Sequence, residues 1–342
     1  MFLSLSFTVS NKDVRVKEKL YKLRKKITEF IFFGNYFYAL CTVALSMEAS
    51  LQQGVPLNTP AYYILLICGT IVYYTYAYMG ALHLFTAFKN SLRLPKTAAT
   101  TNSYYNRRTF WYTRNYKTIN ITQFVYALIA FMAAMYLMVK EFHEIFSLHL
   151  DEWLMLLLVP LVAFFYYGND YFPFIKVNLR NSGWLKPFII GFVWAGAVTI
   201  YPVMFYKWQV NQHYEISVIS LWLLIKNWMY ISVLCIMFDI KDYADDYNKH
   251  LKTFVVRVGL RKTIFRILLP LIAIGLLALL GFASDQHFNA LRTLINTVPF
   301  IALLTVAYAM HRRKAILFYL IVIDGLMLLK GICGILGYLL FS

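Results

Sequence analysis

The feature that most constrains this chain is a repeated alternation. Apolar runs of about twenty residues are separated by short polar loops, and basic residues crowd into every second loop. A helix needs about 20 apolar residues to cross the hydrocarbon core of a bilayer. Backbone groups in lipid must also find their hydrogen bonds internally. Runs of this kind therefore predict transmembrane α-helices. Nine are found, near 27–48, 61–88, 119–139, 153–168, 184–205, 217–239, 263–283, 290–310 and 315–341. Only 14% of the residues are charged and 60% are hydrophobic, whereas soluble domains carry roughly 25% charged residues. The expected fold class is all-α: a polytopic bundle of nine transmembrane helices forming one domain, 27–341, after a basic N-terminal segment, 1–26.

The bases set an orientation. Of 33 Lys and Arg residues, 28 lie before the first run or in the loops after the second, fourth, sixth and eighth. The positive-inside rule then predicts a cytoplasmic N-terminus and a C-terminus outside, and the expected location is the plasma (inner) membrane, as a multi-pass protein. The opening MFLSLSFTVSNK has no basic residue ahead of its short apolar run, so a cleaved signal is not expected. A net charge of +17 could suggest nucleic acid. Here the bases sit between spans rather than along one polar face, so the expected partner is membrane lipid and no nucleic acid. The stretch SYYNRRTFWYTRNYK (103–117) interleaves aromatics with bases and is expected in the headgroup layer or as a lid over a substrate. The four cysteines all lie in apolar runs without metal-ligand spacing and are expected to be buried apolar side chains.

Sixteen acidic residues are spread thinly, except in FDIKDYADDYNKHLKT (238–253), directly after the sixth run. On a helix at 100° per residue, Asp239, Asp242 and Asp246 share a face, and Asp245 points about 120° away. Like charges so placed repel one another. A cation or basic partners must offset them: either bases such as Lys241 and Lys249 on a solvated helix end, or Mg²⁺, which one or two carboxylates typically bind together with substrate phosphates.

The longer stretch FDIKDYADDYNKHLKTFVVRVG resembles the second aspartate-rich motif of the UbiA superfamily of intramembrane prenyltransferases, a DxxDxxxD pattern with a Lys-Thr-x-x-x-Arg-x-Gly tail. Asp239, Asp242 and Asp246 fall on the aspartates, and Lys252, Thr253, Arg257 and Gly259 fall on the tail. His250 stands where a glycine is usual and Val255 where a proline is usual. The resemblance implies nine helices and a polyprenyl diphosphate whose prenyl group passes to a hydrophobic, often aromatic, acceptor. It implies catalytic and Mg²⁺-binding roles for Asp239, Asp242 and Asp246, and diphosphate contacts for Lys252 and Arg257.

The superfamily's first aspartate motif, after the second span, has no counterpart: no Asp or Glu occurs between residues 49 and 140. Two outcomes are open. Bases of that region (Lys89, Arg93, Arg107 or Arg108) take the place of a second metal on the diphosphate, or the protein keeps the bundle without the chemistry and binds lipid or a partner. Lys226, Asp324 and Lys330 lie within spans, where charge is functional by default. Asp324 either pairs with a lysine as structural glue or lines an acceptor pocket.

Overall fold

The structure, a computed structural model, describes residues 11–92, 105–142, 148–167, 183–248, 253–312 and 318–341. Every regular element among them is helical. In chain order these are α1 (Asn11–Phe33), α2 (Tyr36–Gln52), α3 (Pro60–Leu92), α4 (Tyr105–Arg114), α5 (Tyr116–Lys140) and α6 (Leu150–Tyr167). Then come α7 (Lys186–Gln209), α8 (Val218–Asn248), the short α9 (Phe254–Val258), α10 (Leu260–Asp285), α11 (Ala290–Ala309) and α12 (Tyr319–Phe341). Six of them (α5, α7, α8, α10, α11 and α12) are long and apolar enough to cross a membrane, and α1 with α2 qualifies as a bent pair. Helices α3 and α6 stand where the second and fourth spans are expected, but are not among those six.

The first apolar run is interrupted. Helices α1 and α2 meet at 57° across Gly34 and Asn35. Asn35 has φ 64°, a left-handed conformation that asparagine tolerates better than most residues. A Cβ at Gly34 would lie 2.6 Å from the Phe30 carbonyl oxygen. The buried Asn35 amide is fully used. Its Nδ2 donates to Thr75 Oγ1 at 2.9 Å and to Tyr112 Oη at 3.2 Å, and its Oδ1 accepts from Arg108 Nη2 at 2.8 Å. The bend thereby fastens α3 and α4 to the start of α2. The aromatic and basic stretch around 103–117 is thus helical in its described part and is tied down by Arg108 and Tyr112.

Prolines explain two further irregularities. Regular winding breaks at Ile200 ahead of Pro202, and a π-helical turn spans Thr263–Leu268 ahead of Pro270. Proline has no N–H to donate and crowds the preceding turn, and a wider turn relieves the crowding.

Helix α8 runs through the core, with Tyr230, Val233, Ile236 and Met237 wholly buried. It packs on α7 and α10, while α2 packs on α3 and α12. Helices in lipid gain little from burying apolar surface and associate through close packing of small residues. Where α12 crosses α2, a Cβ on Gly331 would stand 2.8 Å from the Ala44 carbonyl carbon.

The same crossing holds a buried charge cluster. Lys330 Nζ donates to Glu48 Oε2 at 2.5 Å, and Lys226 Nζ lies 3.7 Å from Glu48 Oε1. Gln52 completes it, accepting from Lys226 at 2.9 Å and donating to Glu48 at 3.0 Å. Gly334 makes the room, because a Cβ there would be 2.3 Å from Glu48 Cγ. Asp324 takes no part, so the lysines pair with Glu48 rather than with the aspartate that the sequence offers as a partner.

Glu152, at the start of α6, is a second compensated acid. It accepts from the Tyr214 amide at 2.9 Å, the His149 amide at 3.1 Å and Trp208 Nε1 at 3.2 Å, with His213 Nδ1 also at 3.2 Å. Burial opposes its charge, but these donors outweigh burial and hold its carboxyl below the usual glutamate range.

Candidate functional site

A cavity of about 690 Å³ lies between α2, α3, α6, α7, α8 and α12. Its wall is mainly apolar and aromatic, with Leu66, Tyr73, Tyr74, Trp194, Ile231 and Phe238 among the lining residues. A volume of this order is ample for a lipid-sized ligand. Among the described residues, three charged ones also line it: Lys186, Asp239 and Asp324.

Asp239 is buried on α8, and Lys186 Nζ donates to its Oδ1 at 3.0 Å. Lys186 is the first residue of α7, ahead of Pro187, which starts a helix well because its missing N–H would have no partner there. An aspartate from one span and a lysine from the start of another thus meet at the wall of an apolar chamber. Arg257, expected on the diphosphate, is on α9, with its guanidinium 6.0 Å from the centre of the Trp184 ring, and is not among the residues that line the cavity.

Helix α8 continues unbroken to Asn248, so backbone positions 242 and 246 keep the helical register that puts them on the face of position 239. The side chains of Asp242, Asp246 and Lys89 lie outside the described residues, as do Lys252 and Arg93 entirely. Among the described residues, no three His, Cys, Asp or Glu side chains come together to hold a metal ion. Arg108, a candidate for the missing half of the site, is engaged by Asn35 at the bend.

Asp324 is on α12, directly after a π-helical turn, Tyr319–Ile323. Such turns recur at functional sites. The residue is 1% exposed, and among the described residues its carboxyl oxygens have no polar neighbour beyond Tyr38. The Tyr38 hydroxyl adjoins it, and the charges of Arg108 and Lys241 reach it from further away. Cys235, one turn before Asp239, lies within electrostatic reach of Asp239, Asp324 and Lys186. Beside these groups, Tyr38 and Tyr74 stack at 5.0 Å with planes 11° apart, and Tyr74 Oη accepts from Trp194 Nε1.

Sequence reasoning missed Lys186 as a partner, since it counts there as one more base at the inner end of a span. Its position at the start of an apolar run was the only available signal. The chamber combines an apolar body, an acid–base pair at its wall and aromatic faces. Such a site can hold a long apolar chain with its polar end at Asp239 and Lys186. Comparison of the chain with family profiles, with characterised proteins and with solved structures yields no match.

Proposed function

We propose that this protein is a UbiA-like intramembrane prenyltransferase. It has nine transmembrane spans and a cytoplasmic N-terminus in the plasma membrane, and transfers a prenyl group from a polyprenyl diphosphate to a hydrophobic acceptor. The observation that carries this is the Lys186–Asp239 pair on the wall of an apolar chamber of about 690 Å³. The resemblance around Asp239, Asp242 and Asp246 supports it independently.

The donor set suits Mg²⁺ in its usual manner. Asp239 supplies carboxylate oxygen at the chamber, and Asp242 and Asp246 follow in the same helical register. Few protein ligands are needed when substrate phosphate oxygens complete the shell. When bound there, Mg²⁺ would neutralise charge on the departing diphosphate. Lys186 contributes a positive charge at the same point, and Lys252 and Arg257 add further bases if the tail of the motif folds over the diphosphate. The apolar walls hold the prenyl chain and keep water from the allylic cation left when the C–O bond breaks. The ring faces of Tyr38, Tyr74 and Trp194 favour that cation. Attack by the acceptor forms the new bond, and the acceptor loses a proton.

Purified protein should bind geranylgeranyl diphosphate only with Mg²⁺ and release diphosphate when an acceptor is supplied. Asp239→Ala, Asp242→Ala and Lys186→Ala should each lower that activity at least about tenfold, as expected when a charged contact to phosphate is lost. Absence of both binding and turnover with Mg²⁺ present would sink the proposal. The acid-free stretch from 49 to 140 favours a second reading, a non-catalytic membrane protein that binds lipid or a partner in the same chamber. Diphosphate binding without turnover for any acceptor would select it.

A further inference from the structure

Among the described residues, Asp324 is the carboxylate on the chamber wall that makes no ion pair, whereas Asp239 is paired with Lys186. Both of its oxygens are buried, and among the described residues they have no polar neighbour beyond the adjoining Tyr38 hydroxyl. A buried polar group left in that state destabilises a protein by about 1–3 kcal/mol or more, so its presence needs a reason. Glu48, buried on α2, shows what full compensation looks like: one lysine at 2.5 Å, another at 3.7 Å, and a glutamine. Asp324 instead borders the cavity. It follows a π-helical turn and stands next to the Tyr38 hydroxyl and the Tyr38–Tyr74–Trp194 aromatic cluster.

We propose that Asp324 and Tyr38 form a second polar anchor in the chamber, which binds the neutral hydroxyl of an apolar molecule. A hydroxyl both donates and accepts, so it can donate a hydrogen bond to a carboxyl oxygen of Asp324 and accept one from Tyr38. An ammonium group can only donate and must be stripped of its water to enter an apolar chamber whose polar end already carries the Lys186 charge. An ether of the same shape can accept from Tyr38 but leaves Asp324 unsatisfied. The anchor is separate from the Lys186–Asp239 pair and places a hydroxyl-bearing ligand against aromatic faces. This deepens the proposed function, resting on the same chamber and naming the chemistry of the second ligand. It does not require that the chamber hold a diphosphate.

The test uses the full-length protein in lipid nanodiscs and a 1-dodecanol carrying a mid-chain diazirine. Photo-crosslinking to chamber peptides is challenged with unlabelled 1-dodecanol, dodecyl methyl ether and dodecylamine. For the wild type, the alcohol should compete about tenfold better than the ether or the amine, the scale of one buried hydrogen bond. Asp324→Leu should erase that preference while raising the melting temperature, because it replaces an unsatisfied buried acid with an apolar group of similar size. A purely structural aspartate would do the opposite. Asp324→Asn keeps the shape and serves as the control for folding, and Tyr38→Phe should weaken the preference without abolishing it. Asp239→Asn should leave the preference intact while reducing Mg²⁺-dependent binding of geranylgeranyl diphosphate. An unchanged preference in Asp324→Leu, or an amine that outcompetes the alcohol, overturns the anchor and leaves the diphosphate proposal standing. Loss of Mg²⁺-dependent diphosphate binding in Asp324→Asn also overturns it, since Asp324 then belongs to the metal end. If no probe crosslinks to the chamber of wild-type protein, the anchor falls, and diphosphate binding measured alone decides the rest.

Discussion

Two carboxylates in the middle of this bundle have opposite surroundings. Glu48 is enclosed by Lys226, Lys330 and Gln52, with space carved out by Gly334. Asp239, together with Asp324, lines a large apolar chamber, and its partner Lys186 is about a third exposed. Lys226 and Asp239 are on the same helix, thirteen residues or about 20 Å apart, so a single span carries both solutions. In the first the charges are spent on one another and lock helices together. In the second they face a space that a ligand can fill. A buried ion pair is poor evidence of function when every partner is present, and better evidence when the set opens onto a cavity.

This comparison can be broken most severely at Glu48. Glu48→Gln leaves two buried lysines without a carboxylate and should destabilise the protein by about 3–5 kcal/mol, read from thermal unfolding in detergent. A loss under about 1 kcal/mol would mean that the cluster is not a structural lock. Next in size is Gly334→Leu, which forces a side chain into the space of Glu48 and should cost about 1–3 kcal/mol, with the same readout. Glu152→Gln should follow at about 1–3 kcal/mol, since it disturbs an acid with two amide donors and an indole donor. That acid also sets a pH dependence. Its folded-state carboxyl titrates below the ordinary value of 4.5, so its contribution is present above that pH and is lost as the pH falls through the lowered value. Unfolding curves of wild type and Glu152→Gln should therefore converge on acidification below about pH 4.5. The smallest stability effect belongs to Asp239→Asn, about 1 kcal/mol, because the amide oxygen still accepts from Lys186, which is a third exposed, although diphosphate binding should fall. A stability loss at Asp239 as large as that at Glu48 would erase the distinction between the two regions.

The spans were legible because hydrocarbon demands long apolar helices, and six of the expected runs return as helices able to cross a membrane. The acidic turn was legible too, since the helical period alone puts positions 239, 242 and 246 on one face of α8. The break at Asn35 was not. It depends on Thr75, Arg108 and Tyr112, which lie 40, 73 and 77 residues away. Nor was the partner of Asp239. The sequence drew attention to bases next to the motif, and the base that the structure brings to it is Lys186, 53 residues earlier.

The sequence by itself determined that the chain is helical and built for a membrane, because those properties follow from local hydropathy and from the backbone's need for internal hydrogen bonds. It also determined which residues carry charge into the bundle. Only the tertiary structure decided what each charge does. Lys330 is 282 residues from Glu48, yet their charged atoms are 2.5 Å apart, while Asp324, only six positions from Lys330, borders the chamber instead. In a medium of low dielectric, a few ångströms separate a compensated charge from one that needs a partner. Those ångströms are set by helix crossings, not by any local pattern of residues.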